Sequence, residues 1–300
     1  MRWFKKKILW SILADTTSAL GLFSIFIAVI TFFPSLKSFS DFLQQKTCLI
    51  ILLPISLIYG LIKNKPKNNF DFNINNRDVK LALSIGNIED IDSAYIVPVN
   101  SEFDMKLNGS VQASHSVKAM VINKYFAGDY DTIQKKISQE LKSKIYTTQK
   151  ENGKYKLGTT IRIETDNKKK SFYFVVNSHK LNSSRVEADE HGLFLTLSGL
   201  WSYISKNGAK EHIAIPLIGT GNGRLKITRQ EVYNEIVRSF VASCASKSYC
   251  EKMTIVIRNE DIIKYKINVD TLVEFMKFQT KYVDYIDKNE GPAVGTAVEP

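Results

Sequence analysis

Cysteine is scarce in this sequence: Cys48, Cys244 and Cys250 are the only three in 300 residues, and none has the paired spacing of a zinc site or a dithiol redox motif. A disulfide scaffold is thereby excluded, and buried, reduced thiols are expected. Histidine is equally thin, with His115, His179, His191 and His212 scattered and no HExxH pair. There is no GxSxG nucleophile elbow, no GxxxxGK[ST] loop and no GxGxxG turn, so serine-hydrolase, P-loop and ordinary dinucleotide-fold chemistry lose their support. No internal repeat is present, and no basic stripe interleaved with aromatics marks a nucleic-acid surface. No metal, no cofactor and no nucleic-acid partner are expected.

What is abundant is apolar sequence in one place. Ile8 to Phe33 is almost continuously hydrophobic, and Thr47 to Ile62 forms a second such run after a polar link through Asp41, Gln44, Gln45 and Lys46. At about 1.5 Å rise per residue the first run is long enough for a hydrocarbon core of about 30 Å, whereas the second needs tilt or local thinning. The first run is too long for a signal-peptide core and lacks a clear small-residue cleavage site. The net charge of +11 has part of its explanation here: Arg2, Lys5, Lys6 and Lys7 precede the first run, and Lys63, Lys65 and Lys67 follow the second. Basic residues at both outer ends predict a hairpin, residues 1–62, with the N terminus and the following domain both on the cytoplasmic side. Asp15 within the first run either snorkels to the interface or, with Thr16, Thr17, Ser18 and Gly21, marks a face for helix association.

Residues 63–78, rich in Asn, Lys and Pro, read as a linker. The domain is expected over 79–283, followed by a mobile tail at 284–300. Residues 79–85 and 94–99 read as strands, and 112–126 and 130–146 as helices, the second with Ile133, Ile137, Leu141 and Ile145 on one face. TTIRIE and SFYFVVNS bracket a polar turn and predict a hairpin. A helix at 189–206 stops at Asn207-Gly208, a strand covers 213–217, and Thr228 with Glu231 has the spacing of a capping box. A strand at 253–257 and a helix at 269–282 complete the order. Strands alternating with helices on this scale predict an α/β fold, a three-layer αβα domain with a mixed, largely parallel sheet.

The most informative stretch is residues 212–237, where a buried strand ends in Gly219, Gly221 and Gly223 before a helix. Glycines there let backbone N–H groups approach an anion, and the carboxyl end of a parallel strand is where open sheets bind ligands. A tight structural turn is the plain alternative. Three segments together resemble the macro domain family, which binds ADP-ribose and its derivatives: Gly86-Asn87-Ile88, the run Ala94 to Asn100, and Pro216-Leu217-Ile218-Gly219-Thr220-Gly221. The resemblance implies that Asn87 faces the adenine and Asn100 the distal ribose, with Ile88 beside Asn87 among the ligand-binding residues. It implies that the backbone of Gly219, Thr220, Gly221, Asn222 and Gly223 holds the diphosphate, with Ile218 before them also at the ligand, and that Gly109, Ser110, Val111 and Gln112 form a second phosphate loop. Turn capping by Asn87, an Asx turn at Asn100 and a purely conformational Gly109 are the corresponding plain readings. His115, just after that second loop, either reaches the ligand or is an exposed or capping residue.

Departures from the family pattern matter. Asn87 stands where an adenine-binding Asp is common, Pro98 replaces the first Asn of the second-strand run, and the multi-glycine loop is reduced to Asn108-Gly109-Ser110. Together these imply binding rather than hydrolysis, so no catalytic residue is assigned. Two spanning helices fused to such a domain resemble the membrane-type ThsA effectors of the Thoeris antiphage defence system. That resemblance implies a multi-pass protein of the bacterial inner membrane that binds an ADP-ribose-derived signal, plausibly histidine-ADP-ribose, made by a TIR-domain partner. It further implies ligand-induced homo-oligomerisation in the lipid bilayer, membrane disruption and abortive infection. The alternatives are a membrane-anchored ADP-ribosyl hydrolase and a non-catalytic reader of ADP-ribosylated partners.

Overall fold

The computed structural model describes residues 6–44, 46–106, 116–143, 150–151, 153–180, 186–187, 190–220, 225–245 and 247–283. The chain divides into two compact units, Met1–Lys67 and Asn68–Pro300.

The first unit is helical: α1 (Lys6–Thr31), α2 (Lys37–Leu43) and α3 (Lys46–Lys63), with a 3-10 turn at Pro34–Leu36. Within α1, Leu9–Thr31 is long and apolar enough to cross a membrane, 23 residues at mean hydropathy 1.8, while the second apolar stretch, Ile50–Lys63, is shorter. Leu22, Ile25 and Phe26 on α1 and Ile50, Ile55 and Ile62 on α3 are exposed, a surface suited to hydrocarbon rather than water. The two helices meet along a polar, small-residue seam. A Cβ on Gly60 would lie 2.7 Å from Thr16 Oγ1 and 2.9 Å from the Ile12 carbonyl oxygen, so only glycine allows this approach. Beside it, Asp15 accepts hydrogen bonds from Lys63 Nζ (2.6 Å) and Asn64 Nδ2 (2.7 Å), and Ser11 Oγ donates to Asn64 Oδ1 (2.7 Å). Asp15 and Thr16 thus lie where α1 meets α3, whereas Thr17, Ser18 and Gly21 of the expected face are exposed.

The second unit is built on a mixed sheet. Its strands are β1 (Asn69–Asn73), β2 (Lys80–Ile85), β3 (Ala94–Asn100), β6 (Thr160–Glu164), β7 (Ser171–Lys180), β8 (Val186–Glu187), β9 (His212–Pro216) and β10 (Lys252–Ile257); β4 (Lys150–Glu151) and β5 (Lys154–Tyr155) form a separate small hairpin. The sheet order is β1-β2-β10-β9-β3-β7-β6, with β8 also on β7. From β2 through β7 every neighbouring pair is parallel; β1, β6 and β8 pair antiparallel at the margins. The expected fold class holds, including the 160–164/171–175 hairpin.

Alternation along the strands divides the core into two layers. Leu81, Leu83, Ile96, Ile213, Ile215 and Ile255 pack beneath α6 (Glu190–Asn207), α7 (Arg229–Ser243) and α9 (Val269–Lys281). Tyr95, Val97, Phe172, Phe174 and Val256 pack beneath α4 (Val117–Tyr125) and α5 (Tyr130–Ser143). Burial on both faces explains why the central strands read as nearly unbroken apolar runs. Cys244 and Cys250 are buried in the first layer, and burial pushes the Cys244 thiol up to about 12 and raises that of Cys250, which keeps both protonated.

One expectation is corrected. The segment 63–78, assigned to a linker, contains β1, an edge strand in register with β2 from Asn69↔Ser84 to Asn73↔Lys80. The Asn-rich composition hid a period-two pattern in which Phe70 and Phe72 pack on the core while Asn69, Asp71 and Asn73 face outward. Composition also missed the short helix α8 (Asn259–Lys264). The helix expected at 112–126 is present as α4 over Val117–Tyr125, capped by Ser116, and that at 130–146 as α5 to Ser143. Residues 107–115, Ile145 and the tail 284–300 lie outside the described residues.

Candidate functional site

Because β2, β10, β9, β3 and β7 run in one direction, their carboxyl ends converge on a single edge of the sheet. Three of the segments singled out in the sequence end there. Polar backbone must be accommodated wherever strands stop, so this edge is where a parallel sheet offers unpaired donors to a ligand.

At the end of β2, Gly86 N–H donates to the Ile257 carbonyl (3.0 Å), fixing the turn against β10. Asn87 follows with extended backbone and precedes the 3-10 turn Ile88–Asp90, yet its side chain makes no capping hydrogen bond. The amide of Asn87 is therefore not spent on turn capping, the alternative raised for it. Ile88 is different: its side chain is buried in the second core layer, so it anchors the turn and offers a ligand only its backbone.

At the end of β3 the pairing with β7 shifts register between Val99 and Asn100, and Asn100 Oδ1 accepts from Glu102 N–H (3.1 Å) and Asp104 N–H (3.2 Å). The Asx-turn reading of Asn100 is thus realised. It leaves Nδ2 without a partner among the described residues and oriented by its own carbonyl, a donor suited to a hydroxyl acceptor.

At the end of β9, Ile218 is buried and Gly219 turns the chain with φ +75°. A Cβ on Gly219 would lie 2.2 Å from Leu225 Cδ1, a side-chain end that would have to move, and 3.9 Å from Asn177 Nδ2 of β7, so it is the positive φ that calls for glycine here. Thr220 Oγ1 donates to the Leu217 carbonyl (2.9 Å), and Leu225 N–H closes the loop on the Gly219 carbonyl (3.3 Å). The helix behind the loop, α7, starts with the expected capping box: Thr228 Oγ1 accepts from Glu231 N–H, and Glu231 accepts from Thr228 N–H at 2.6 Å. These bonds to Thr228 hold the Glu231 carboxyl below its ordinary range. Of the remaining site residues, Gly109, Ser110, Val111, Gln112, Gly221, Asn222 and Gly223 lie outside the described residues, as does His115.

Residues that sequence reasoning missed complete this edge. Arg229, Arg258, Asp261 and Tyr265 gather where the glycine loop meets the segment after β10. Their spacing in sequence, one arginine just inside a helix and the others some thirty residues later, carries no motif. Of the histidines, His179 is exposed near the carboxyl end of β7, one residue past the Ser178 that pairs with Asn100, whereas His212 sits at the opposite end of β9, bonded to Thr254. Among the described residues no group of His, Cys, Asp and Glu could hold a metal ion.

A comparison with curated protein sequences gives no match. Among solved structures, a mutant of the Oceanobacillus iheyensis macrodomain with ADPR is 15% identical at a TM-score of 0.47, over 69% of this chain and 99% of that one. The same macrodomain with ADP is 15% identical at 0.46, over 69% and 97%. The Trypanosoma brucei macrodomain in complex with ADP-ribose is 12% identical at 0.42, over 62% and 66%. The family described as Thoeris protein ThsA, Macro domain, matches residues 81–258, from β2 to the residue after β10 and more than half of the chain. By that match, which spans the Asn87, Asn100 and Gly219 segments of the candidate site, the chain belongs to the Thoeris ThsA macro-domain family.

Proposed function

We propose that the second unit binds an ADP-ribose-derived signal at the carboxyl edge of its sheet and passes that event to the membrane helices. In this reading Asn87 faces the adenine and Asn100 Nδ2 the distal ribose. The turn at Gly219, its continuation to Gly223 and the 109–112 segment receive the diphosphate, with the start of α7 adding favourable dipole to an anion. The observation that carries the reading is the Gly219 turn: a positive φ at the end of β9, with Arg229 at the capped start of α7 bonded to the neighbouring Thr220 carbonyl, inside a stretch that matches the Thoeris ThsA macro family.

The signal is an ADP-ribose conjugate, plausibly histidine-ADP-ribose, produced by a TIR-domain partner. Binding drives homo-oligomerisation of the two membrane helices in the bacterial inner membrane, with both N terminus and macro domain cytoplasmic, and the assembled helices disrupt the bilayer and end the infected cell. The chain itself breaks no bond. A ligand shifts such an equilibrium only through tighter binding to the assembled state, so affinity and oligomer size must be linked. The test is to add ADP-ribose and histidine-ADP-ribose to the full chain in lipid vesicles and follow oligomer size and dye leakage. Growth of both with ligand supports the proposal, and nucleotide turnover with an unchanged oligomer and a sealed membrane overturns it.

A further inference from the structure

Arg229 is the first residue of α7, and its environment is unusual for a side chain at a helix start. Its Nη2 donates to the Thr220 carbonyl (3.0 Å), inside the glycine loop. Its guanidinium carbon lies over the Tyr265 ring, 3.2 Å from the centroid. Its Nε is 3.8 Å from Asp261 Oδ1, and the side chain is 15% exposed. Asp261 is also gripped by Arg258, Nε to Oδ2 at 3.1 Å and Nη2 to Oδ1 at 3.3 Å. One cation thus bonds the loop after β9 through an N–H and lies over an aromatic ring of the segment after β10, a pairing that the multi-donor guanidinium suits better than a Lys ammonium.

We propose that Arg229 is a positioning residue: it ties the Gly219–Thr220 turn to the 258–265 segment, and the placement of that turn toward a diphosphate is set from Tyr265 and Asp261 through it. A loop built around a glycine at positive φ loses much conformational freedom on ordering, and whatever holds it beforehand reduces the cost of binding. Removing the tie frees the Thr220 carbonyl and leaves the Gly219–Thr220 turn less fixed before the ligand arrives. The role rests on the reading of this edge as the nucleotide site, but the tie itself does not.

The experiment is hydrogen exchange followed by mass spectrometry on the full chain in detergent, without and with ADP-ribose, for wild type, Arg229→Lys, Tyr265→Ala and Tyr265→Phe. Without nucleotide, Tyr265→Ala and Arg229→Lys are expected to raise exchange at Gly219, Thr220 and Leu225 while 81–85 stays protected, and Tyr265→Phe restores the wild-type pattern. With ADP-ribose, Tyr265→Phe binds like wild type and Arg229→Lys binds about tenfold more weakly, the scale of one charge-assisted hydrogen bond. Unchanged exchange at Gly219 and Thr220 in Tyr265→Ala overturns the proposal, even if Arg229→Lys merely misfolds. Failure of wild type to bind ADP-ribose removes the nucleotide reading instead, and the ligand-free comparison still decides the tie.

Discussion

Ile85 donates its backbone N–H to the carbonyl of Asn68 at 2.8 Å, so the chain enters the second unit beside the last residue of β2, one residue before Gly86 and Asn87. Ser84 Oγ reinforces the entry by donating to Asn69 Oδ1 at 2.7 Å. The tether from the helical unit is therefore stitched to the same edge that carries the candidate site, with only residues 64–68 between α3 and β1. The Asn87 turn ends β2, and the tether leads into β1, the strand paired with it.

Lengthening that tether is expected to uncouple the two units. About six Gly and Ser residues inserted after Lys65 behave as flexible coil and leave β1 and the site intact. Nucleotide affinity stays at the wild-type value while ligand-dependent leakage from vesicles falls sharply. Undiminished leakage would mean that the signal travels by another route.

Gly219→Ala tests the turn. The left-handed backbone and the close Leu225 side chain both oppose a Cβ, at a cost of about 1–2 kcal/mol that falls on the loop rather than on the buried sheet. A drop in nucleotide affinity of about tenfold or more is expected with little change in melting temperature, measured by calorimetry and circular dichroism on the same sample.

The seam between α1 and α3 is expected to be as sensitive as the site. Gly60→Leu drives a side chain into the Ile12 carbonyl and Thr16, and should abolish ligand-dependent leakage without touching nucleotide affinity. Asp15→Asn removes the charge facing Lys63 but keeps a bond to Asn64, and the effect should be mild, since polar pairs between membrane helices average about 0.6 kcal/mol.

His212 supplies a pH prediction. Burial, aided by the nearby Lys252, lowers its pKa, against the opposing backbone bond to Asp92 and the charges of Asp71 and Asp92. A histidine harder to protonate when folded contributes stability that is complete above its unfolded pKa of about 6.5 and is lost as pH falls through the folded value. The melting temperature should therefore decline between about pH 6.5 and 5, before carboxylates such as Asp129 and Glu231, both held low, begin to titrate. His212→Gln should flatten that segment of the profile; an unaltered slope would assign the effect elsewhere.

How far the sequence carries depends on where information is local. Apolar length, the period-four face of α5, the Asn207-Gly208 stop and the Thr228/Glu231 box all act within a few residues, and the structure shows each. The Gly86-Asn87-Ile88, Asn100 and Ile218-to-Thr220 segments were legible because a backbone that must turn at a strand end restricts residue type. Side-chain fates were less so: Ile88 and Ile218 are buried, and Asn100 is both site residue and Asx turn. β1 was missed because its two phenylalanines sit among asparagines and lysines. Arg229 was missed because its partners Thr220, Asp261 and Tyr265 come together only when β9 and β10 pair.

The most direct measurement is calorimetric titration of the full chain in detergent with ADP-ribose and with histidine-ADP-ribose. Saturable binding at one nucleotide per chain, weakened by Gly219→Ala, is the expected result. No heat with either nucleotide, or equal affinity in Gly219→Ala, would contradict a nucleotide site at this edge.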